Sequence, residues 1–184
     1  MENVVLGLLI LLPMTLYDLN QAFKQGISLF YSASMGSLQV AVRNLLGKGW
    51  IVCAERVERG RNKKVYSITE DGRAAFYQWM LAETPANKLE VTALSKVYFL
   101  GLVPEAAQRR QILVEILARI DAVYGQLSGL QDEIGRLDPP EAYRDILKFQ
   151  LKTLDYGLQA HVFARAWFEA LLGEVESEET HAGR

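Results

Sequence analysis

The stretch from Ser34 to Ser67 reads SMGSLQVAVRNLLGKGWIVCAERVERGRNKKVYS, and it decides the fold. Its first part carries apolar residues at helical spacing, from Leu38 through Val42 to Leu45, which predicts an amphipathic helix with Ser34 as its N-cap. The Gly-Lys-Gly sequence that follows predicts the end of this helix, because glycine readily adopts the left-handed conformation found at helix ends. The opposite face of the helix is polar and carries little negative charge.

Two short strands are predicted after these glycines, where apolar and polar residues begin to alternate. Ile51 and Cys53 begin the first strand, and we expect Cys53 to be buried as a small apolar residue. Residues 64–68 form the second strand, and the segment between the two contains the glycine and asparagine of a hairpin turn. Residues 56–64 hold five basic residues and one acidic residue, so the tip of the hairpin is basic.

This helix and this hairpin have the layout of a winged helix. An α-helix fits the major groove of duplex DNA, and a basic tip can lie along neighbouring phosphates. The polar face of the helix supplies donors and acceptors at Ser37, Gln39, Arg43 and Asn44. The alternative is a helix packed on a hairpin whose charged turn is only solvated, as most charged runs are.

Length and charge limit the classes to which the chain can belong. Its 184 residues can bury one large core or two small ones, and the composition is that of a folded, soluble protein. The formal net charge is −2, but residues 1–84 carry a net +2 and residues 85–184 a net −4. Binding to nucleic acid depends on the charges that meet phosphate, so a local basic patch in the first half is compatible with it.

The cysteine and histidine content argues against disulfides and metal centres. Cys53 is the single cysteine, and the two histidines, His161 and His181, lie far along the chain. We therefore predict no cofactor and no metal, and a location in the reducing cytoplasm. The apolar run at residues 4–12 is too short to span a bilayer and lacks the basic start of a signal peptide, so we expect a buried helix and no membrane partner.

A linker is predicted at residues 82–88, where the chain contains Thr-Pro-Ala-Asn. Before it we expect a winged helix-turn-helix domain, residues 1–84, that binds DNA. After it we expect an all-helical dimerisation domain at residues 85–173 and a disordered acidic tail at residues 174–184.

Helix caps support this division. Thr15 with Asp18 forms an [ST]-x-x-[DE] capping box, and Thr69 is placed to cap the helix that follows the hairpin. The predicted fold class is therefore mainly α with a small β-hairpin: an N-terminal winged helix-turn-helix and a C-terminal antiparallel helical domain.

Two long helices with apolar seams fill the second half. Apolar residues recur at three- and four-residue steps from Leu113 to Leu137 and again from Leu147 to Val162, which is typical of coiled-coil-like packing. The two seams can pack on each other as a helical hairpin. The second helix carries further aromatic residues on other sides, namely Tyr143, Phe149, Tyr156, Phe163 and Trp167. A helix that is apolar on several faces needs a second partner, so we expect a two-fold symmetric homodimer.

Seven short segments then point to a known family. In chain order they are LGLL (6–9), PMTLYDL (13–19), GSL (36–38), RNL (43–45), GWI (49–51), KVYSIT (64–69) and DGR (71–73). Through these segments the chain resembles the PadR-like transcriptional regulators, in particular the longer members with an all-helical C-terminal domain. The resemblance is collinear over most of residues 4–80. The C-terminal half is similar in length and helix layout.

The resemblance implies a homodimeric regulator, usually a repressor, that binds an inverted-repeat operator in double-stranded DNA. In several such proteins a small aromatic or amphipathic molecule lodges between the domains and releases the DNA. The residues expected to contact DNA are Tyr17, Ser34, Ser37, Gln39, Arg43, Arg59, Arg61, Lys63 and Lys64. The aromatic residues expected to line an effector pocket are Trp79, Tyr98, Phe99 and Tyr124. The apolar residues of the last helix expected to dimerise are Leu147, Leu151, Leu154, Leu158, Val162 and Trp167.

Two other classes compete with this interpretation. An enzyme would need a nucleophile with its base, paired carboxylates or metal ligands, and the sequence has no Gly-rich phosphate loop, no His-x-x-x-His and no serine elbow. We therefore predict no catalytic site. The second alternative is a winged-helix module for protein–protein interaction without sequence-specific DNA binding, against which the basic hairpin argues.

Overall fold

The computed structural model describes residues 1–25, 27, 34–58, 61–136 and 139–182, with the backbone alone at residues 25, 56–58, 61, 87 and 179–182. The chain forms two compact units, one made of Met1–Ala82 with Glu90–Val103 and the other of Glu83–Leu89 with Pro104–Arg184. Helices dominate both units and the strands form one small sheet. The predicted fold class is confirmed.

The first unit surrounds a small antiparallel sheet with helices. The helices are α1 (Glu2–Leu11), α2 (Leu16–Gln25), α3 (Met35–Gly47), α4 (Glu70–Leu81) and α5 (Leu89–Tyr98), and the strands are β1 (Met14–Thr15), β2 (Ile51–Glu58) and β3 (Arg61–Ile68). The strand order is β1-β3-β2, with Ile51 opposite Ile68. The sequence predicts β2 and β3 but misses β1, because two residues are too few for an alternating pattern.

Helix α1 lies at the centre of the first unit. It is apolar on nearly all sides and packs against α3, α4 and β3, which buries Val5 and Leu6 completely. The helix ends at Leu11, two residues before Pro13, which cannot continue a helix. Gly7 allows the ring of Phe99 to approach closely, since a Cβ atom on this glycine would lie 2.7 Å from the ring. Within the described ranges, no helix is long and apolar enough to cross a membrane.

Cys53 is exposed, which corrects the prediction that it is buried. Ile51 is covered at the start of β2, but residues 52–55 are all exposed. Other elements thus cover the sheet only at the start of β2, although apolar and polar residues go on alternating further along the strand. A pattern along one strand cannot show where the covering elements end.

Three helix starts carry the predicted caps. The Thr15 hydroxyl and backbone N–H both donate to Asp18 Oδ2, at 2.7 and 3.0 Å, and the Asp18 N–H donates back to Thr15 Oγ1 at 3.2 Å. The Gly72 N–H donates to Thr69 Oγ1 at 3.1 Å at the start of α4. Ser34 caps α3 in the same way. These bonds satisfy N–H groups that have no partner inside their helix.

Asp18→Asn is expected to destabilise the first unit at neutral pH and to have no effect in acid. Hydrogen bonds from the Thr15 hydroxyl and N–H hold the pKa of Asp18 below its ordinary value, burial opposes them weakly, and Lys63 adds to the lowering. The carboxylate therefore stabilises the fold above the unfolded-state pKa of about 3.9, and this stabilisation is lost as the pH falls through the folded-state value. Because Asp18 is exposed, the loss at pH 7 should be about 0.5–1 kcal/mol.

Thermal unfolding of both proteins between pH 7 and pH 2 measures this difference. A destabilisation that is the same at both ends of the range would contradict the role given to the ionised carboxylate.

Residues 90–103 pack with the first unit, which differs from the expected boundary at residue 85. The Phe99 ring lies edge-on to Phe76 of α4, with centroids 5.7 Å apart, and the Tyr77 hydroxyl donates to the Leu102 carbonyl at 3.1 Å. Residues 82–85 are irregular and Ala86–Lys88 form a short 3-10 helix. The sequence cannot tell that the helix after this segment packs on the first core.

The second unit is an antiparallel pair of long helices, α6 (Ala106–Gly135) and α7 (Glu141–Ala182). A Cβ atom on Gly157 would lie 3.5 Å from Leu127, and Arg165 Nε donates to Asp121 Oδ1 at 2.8 Å. The helical hairpin inferred from the two seams is present, and the buried residues of this pair are Ile112, Leu113, Ile116, Ile120, Leu158, Phe168 and Val175.

The predicted disordered tail is helical as far as the structure describes it. Helix α7 continues to Ala182, Val175 is buried, and Arg110 Nε donates to Glu176 Oε1 at 2.8 Å. The acidic composition suggested a solvated end, but a basic residue on α6 neutralises one of the acids and the apolar spacing continues through Val175. Residues 174–182 therefore continue helix α7 in the structure, instead of the expected disorder.

Candidate nucleic-acid interface

Helix α3 presents one buried and one exposed face. Leu38, Ala41, Val42 and Leu45 are buried in the first unit. On the other side, Gln39 and Arg43 are exposed and lie one turn apart, so their side chains are neighbours on the helix surface. A long amide and a guanidinium at this spacing can each make two hydrogen bonds to the edge of a base.

The side chains of Ser34 and Ser37 form hydrogen bonds that cap the N-terminus of α3. The Ser37 N–H donates to Ser34 Oγ at 3.1 Å, the Ser34 N–H donates to Ser37 Oγ at 2.9 Å, and the Ser37 hydroxyl donates to the Ser34 carbonyl at 2.8 Å. This reciprocal capping box fixes where the helix begins. The structure thus gives both serines a folding role, and their contact with DNA stays a prediction.

The end of α3 is tied to the start of α1. Glu2 accepts from Lys48 Nζ at 2.6 Å and from Asn44 Nδ2 at 3.0 Å. Burial raises the pKa of Glu2, but the hydrogen bonds from Lys48 and Asn44 and the charge of Lys48 outweigh it, so the pKa is lowered overall. The sequence alone does not reveal this role of Glu2, because a single acid at a helix start gives no sign of a distant partner.

A shallow groove of about 660 Å³ lies along this side of α3. It is lined by Met1, Glu2, Asn3, Ser37, Val40, Ala41, Asn44, Lys48 and Trp50. The Glu2 carboxylate holds the Lys48 ammonium group in this groove, so that charge is engaged within the protein. The exposed face of Gln39 and Arg43 is therefore the better candidate for reading DNA.

The β2–β3 hairpin supplies basic side chains next to α3 in the sequence. Lys63 and Lys64 are exposed on β3, and Lys64 Nζ lies 3.9 Å from Glu55 Oε1 across the sheet. Such a long, exposed ion pair is worth little, so Lys64 can turn to a phosphate at low cost. Arg59 and the side chain of Arg61, which were predicted to contact DNA, lie outside the described residues.

Tyr17 lies in the first turn of α2 and is 64% exposed. Its hydroxyl accepts from Gln21 Nε2 at 2.8 Å, which orients the ring along the helix surface. The hydroxyl group can still donate a hydrogen bond of its own, for example to a phosphate of the DNA backbone. This contact stays a prediction.

The aromatic residues predicted to line an effector pocket have different environments. Phe99 is only 2% exposed and packs against Phe76, so it belongs to the core of the first unit. Tyr98 is exposed and lies edge-on to Phe99, with centroids 4.9 Å apart, and Trp79 lies beside Phe76 at 5.7 Å. Tyr124 is exposed on α6 in the second unit. Phe99 is thus part of the fold rather than an accessible pocket wall.

The part of the chain that the structure describes contains no cluster of three or more histidine, cysteine, aspartate or glutamate side chains suited to a metal ion.

Comparison with known proteins gives a consistent result. The sequence model of the transcriptional regulator PadR-like family matches residues 5–78. The negative transcriptional regulator PadR of Bacillus subtilis is 19% identical over 180 residues, which cover 97% of this chain and 98% of that protein. The probable transcriptional regulator Rv1176c of Mycobacterium tuberculosis is 26% identical over 137 residues, which cover 72% of this chain and 67% of that protein.

Solved structures of the B. subtilis protein are similar as well. Its crystal structure with operator DNA is 19% identical and covers 95% of this chain and 98% of that chain, with a TM-score of 0.45. Its crystal structure with p-coumaric acid is 19% identical and covers 95% of this chain and 94% of that chain, with a TM-score of 0.41.

The relatives found in this way are named as transcriptional regulators and not as enzymes. The matched residues, 5–78, take in α1 to β3 and most of α4, which contain the exposed face of α3 and the basic hairpin. Residues 5–78 of the chain therefore match the PadR-like family of transcriptional regulators.

Proposed function

We propose that the chain is a homodimeric repressor that binds an inverted-repeat operator in double-stranded DNA and is released by a small-molecule effector. The observation that carries the proposal is the exposed Gln39–Arg43 face of α3, with its helix start capped and its other face buried. A rigid helix that presents a guanidinium and an amide is suited to reading base edges in the major groove.

Phosphate contacts come from the hairpin in this proposal. Lys63 and Lys64 are exposed on β3, and Arg59 and Arg61 belong to the same basic segment of the sequence. Basic residues along the backbone fix the register of the helix in the groove, while the residues of α3 supply the sequence preference.

The dimer is expected to form through α7. Ile146, Phe149, Tyr156, Phe163 and Trp167 recur at heptad-like spacing on one side of this helix, and Phe163 and Tyr156 are 72% and 78% exposed. We call these five residues the outer stripe. A row of exposed, large apolar side chains along one side of a helix is typical of an interaction surface, and a second copy of the chain supplies an identical stripe.

The outer stripe changes the set of residues proposed for dimerisation. Leu158 is only 6% exposed within a single chain, so it belongs to the α6–α7 seam rather than to the contact with a partner. Leu147, Leu151 and Leu154 are half-buried on the same seam, whereas Val162 and Trp167 are exposed. Burial within one chain separates these two sets, which the sequence pattern alone does not.

The proposal also includes repression of transcription and release of the DNA by a ligand. The B. subtilis relative is named a negative regulator, and its structures include complexes with operator DNA and with p-coumaric acid. Two α3 helices must lie about 34–36 Å apart to enter successive major grooves. A ligand that binds better to a dimer with another separation shifts the population away from DNA. Trp79, Tyr98 and Tyr124 are the aromatic candidates for contact with such a ligand.

Selection from a random duplex library tests the proposal. The purified protein is expected to retain DNA that contains an inverted repeat, and p-coumarate and related aromatic acids can then be screened for release of that DNA. Retention that shows no sequence enrichment and falls uniformly as salt rises would favour the alternative, a winged-helix module for protein–protein interaction.

Arg43→Ala and Lys64→Ala are expected to weaken operator binding in different ways. Loss of a base contact by Arg43 should cost about 1–3 kcal/mol and relax the preference at one position of each half-site. Loss of a phosphate contact by the Lys64 ammonium group should weaken binding to all DNA sequences alike. It should also reduce the slope of log K against the logarithm of the salt concentration by about one unit for each phosphate that is no longer neutralised.

Binding curves for the operator and for a scrambled duplex at several salt concentrations separate the two effects. Arg144→Ala, which removes an exposed arginine of the second unit, is the control and should leave both curves in place. The assignment of α3 as the reading helix is wrong if Arg43→Ala lowers the affinity for both duplexes equally.

A further inference from the structure

An apolar side chain lies on the outward face of α3. Val40 is 46% exposed, although it lies in the middle of a helix whose other valine, Val42, is buried. At about 100° per residue, Val40 and Arg43 each lie about 150° around the helix from the centre of its buried face. Gln39 lies nearer to the buried face, about 110° from its centre. Val40 and Arg43 are therefore the side chains of α3 that project most directly away from the first unit.

The neighbours of Val40 on the helix surface leave it uncovered. The residue one turn before it is Gly36, which has no side chain, and the nearest atom to a Cβ atom built there is Ser34 Oγ, at 3.9 Å. Asn44, one turn after Val40, donates from Nδ2 to Glu2 Oε1 at 3.0 Å, so its side chain is held toward α1. The γ-methyl groups of Val40 are therefore accessible from outside the protein.

The fold does not account for a valine at this position. An exposed side chain adds little to the hydrophobic core, and valine is a poorer helix former than alanine because its branched β-carbon restricts the side chain within a helix. Single exposed apolar residues are common on protein surfaces, so exposure alone assigns no role. What distinguishes Val40 is its place on the same exposed face as Gln39 and Arg43.

The major groove offers a chemical match for an apolar group on this face. Thymine presents the methyl group on its C5 atom there, whereas the other groups by which the bases differ in this groove are hydrogen-bond donors and acceptors. Contact between this methyl group and a valine removes apolar surface of both from water. Val40 and Arg43 are about 4.5 Å apart along the helix axis, close to the rise of about 3.4 Å between base pairs. Two side chains at this distance can contact bases that are neighbours in the duplex.

We propose that Val40 determines sequence specificity by packing its γ-methyl groups against the C5-methyl group of one thymine in each half-site. The inference rests on the proposed function, because it requires α3 to lie in the major groove. It adds an apolar contact to the hydrogen bonds proposed for Gln39 and Arg43. Cytosine carries a hydrogen atom at C5 and an amino group beside it, so it would leave the valine without an apolar partner.

Replacing single thymines of the selected operator by uracil tests this contact, because uracil differs from thymine only in lacking the C5-methyl group. The selected half-site is expected to contain thymine at one fixed position, next to or near the base that Arg43 contacts. Uracil at that position in both half-sites should weaken binding of the wild-type protein about tenfold, since burying one methyl group is worth about fourfold in each half-site. Uracil at the other thymines should have little effect.

Val40→Ala removes the γ-methyl groups and keeps the helix, because alanine is the better helix former. Thermal unfolding should show that this variant is at least as stable as the wild type. It should bind the thymine operator about tenfold more weakly and lose no further affinity when uracil replaces the critical thymine. The two losses are then non-additive, as expected of two groups that touch each other.

Val52→Ala is the matched control. It makes the same substitution at a valine that is 53% exposed, but this valine lies on β2 and not on α3. The control should bind both the thymine duplex and the uracil duplex as the wild type does.

The same measurements can overturn the inference. It is wrong if uracil weakens the wild type and Val40→Ala by the same factor, since another residue would then contact the methyl group. It is also wrong if the half-site contains no thymine whose methyl group affects binding. A library that yields no enriched sequence would overturn the proposed function together with this inference, whereas an enriched operator with no sensitive thymine would overturn this inference alone.

Discussion

Phe163→Asp is expected to separate the proposed dimer and to abolish its binding to an inverted repeat. Phe163 lies between Tyr156 and Trp167 in the outer stripe and is 72% exposed in a single chain. In a dimer it would be near the centre of the contact, where a carboxylate would be desolvated without a partner. The dimer dissociation constant should rise by about 100-fold or more, because central aromatic residues carry most of the binding energy of an interface.

Sedimentation equilibrium at several protein concentrations measures this change, and circular dichroism checks that the variant stays helical. Gln150→Asp is the control. It adds the same charge to the same helix, one residue after Phe149, and its side chain projects about 100° or more around the helix from the four aromatic residues of the outer stripe. Operator affinity should fall together with dimerisation, since each protomer then contacts only one half-site. A dimeric Phe163→Asp protein with unchanged operator affinity would rule out the outer stripe as the interface.

Gly72→Ala is expected to be among the most destabilising single substitutions in the first unit. A Cβ atom at this position would lie 2.1 Å from the Trp50 carbonyl oxygen and 2.9 Å from Ile68 Cγ1. The obstacle is backbone, and the Thr69 N–H donates to that same Trp50 carbonyl at 3.0 Å, so the oxygen cannot move away without breaking this bond. The free energy of unfolding should fall by about 3 kcal/mol.

Urea unfolding of the two proteins measures this loss. Gly129→Ala is the matched control, because Gly129 lies inside α6, two turns before its end, and nothing would lie within 4 Å of its added Cβ atom. There the substitution should stabilise the protein by about 0.5–1 kcal/mol, as alanine is the better helix former. A loss below about 1 kcal/mol for Gly72→Ala would mean that α4 can shift away from the β2 start without cost.

The sequence predicts those parts of the fold whose causes are local. Ser34, Thr15 and Thr69 cap the helices that follow them because a cap depends on residues three positions apart. The apolar spacing of α3 likewise predicts which of its faces is buried. From these local features one can predict that Gln39 and Arg43 lie on the exposed face of α3, without knowing any tertiary contact.

Features that depend on distant contacts were missed or misjudged. Cys53 is exposed because the cover over β2 stops after Ile51, which no pattern within the strand can show. Leu158 and Phe163 both lie in apolar repeats of α7, yet one is buried by α6 and the other is exposed. Lys96 appears in the sequence as an ordinary charged residue in an apolar helix, and only the packing of α5 reveals that it is buried.

The capping box of α3 has a consequence for how such a regulator can diverge. Ser34 and Ser37 fix the start of the helix, and Leu38, Val42 and Leu45 fix its buried face, so the fold of this element does not depend on Gln39 or Arg43. Substitutions at exposed positions of this kind usually change stability by no more than about 0.5 kcal/mol. With α3 as the proposed reading helix, two copies that arise by gene duplication can therefore acquire different target sequences while both keep a stable fold.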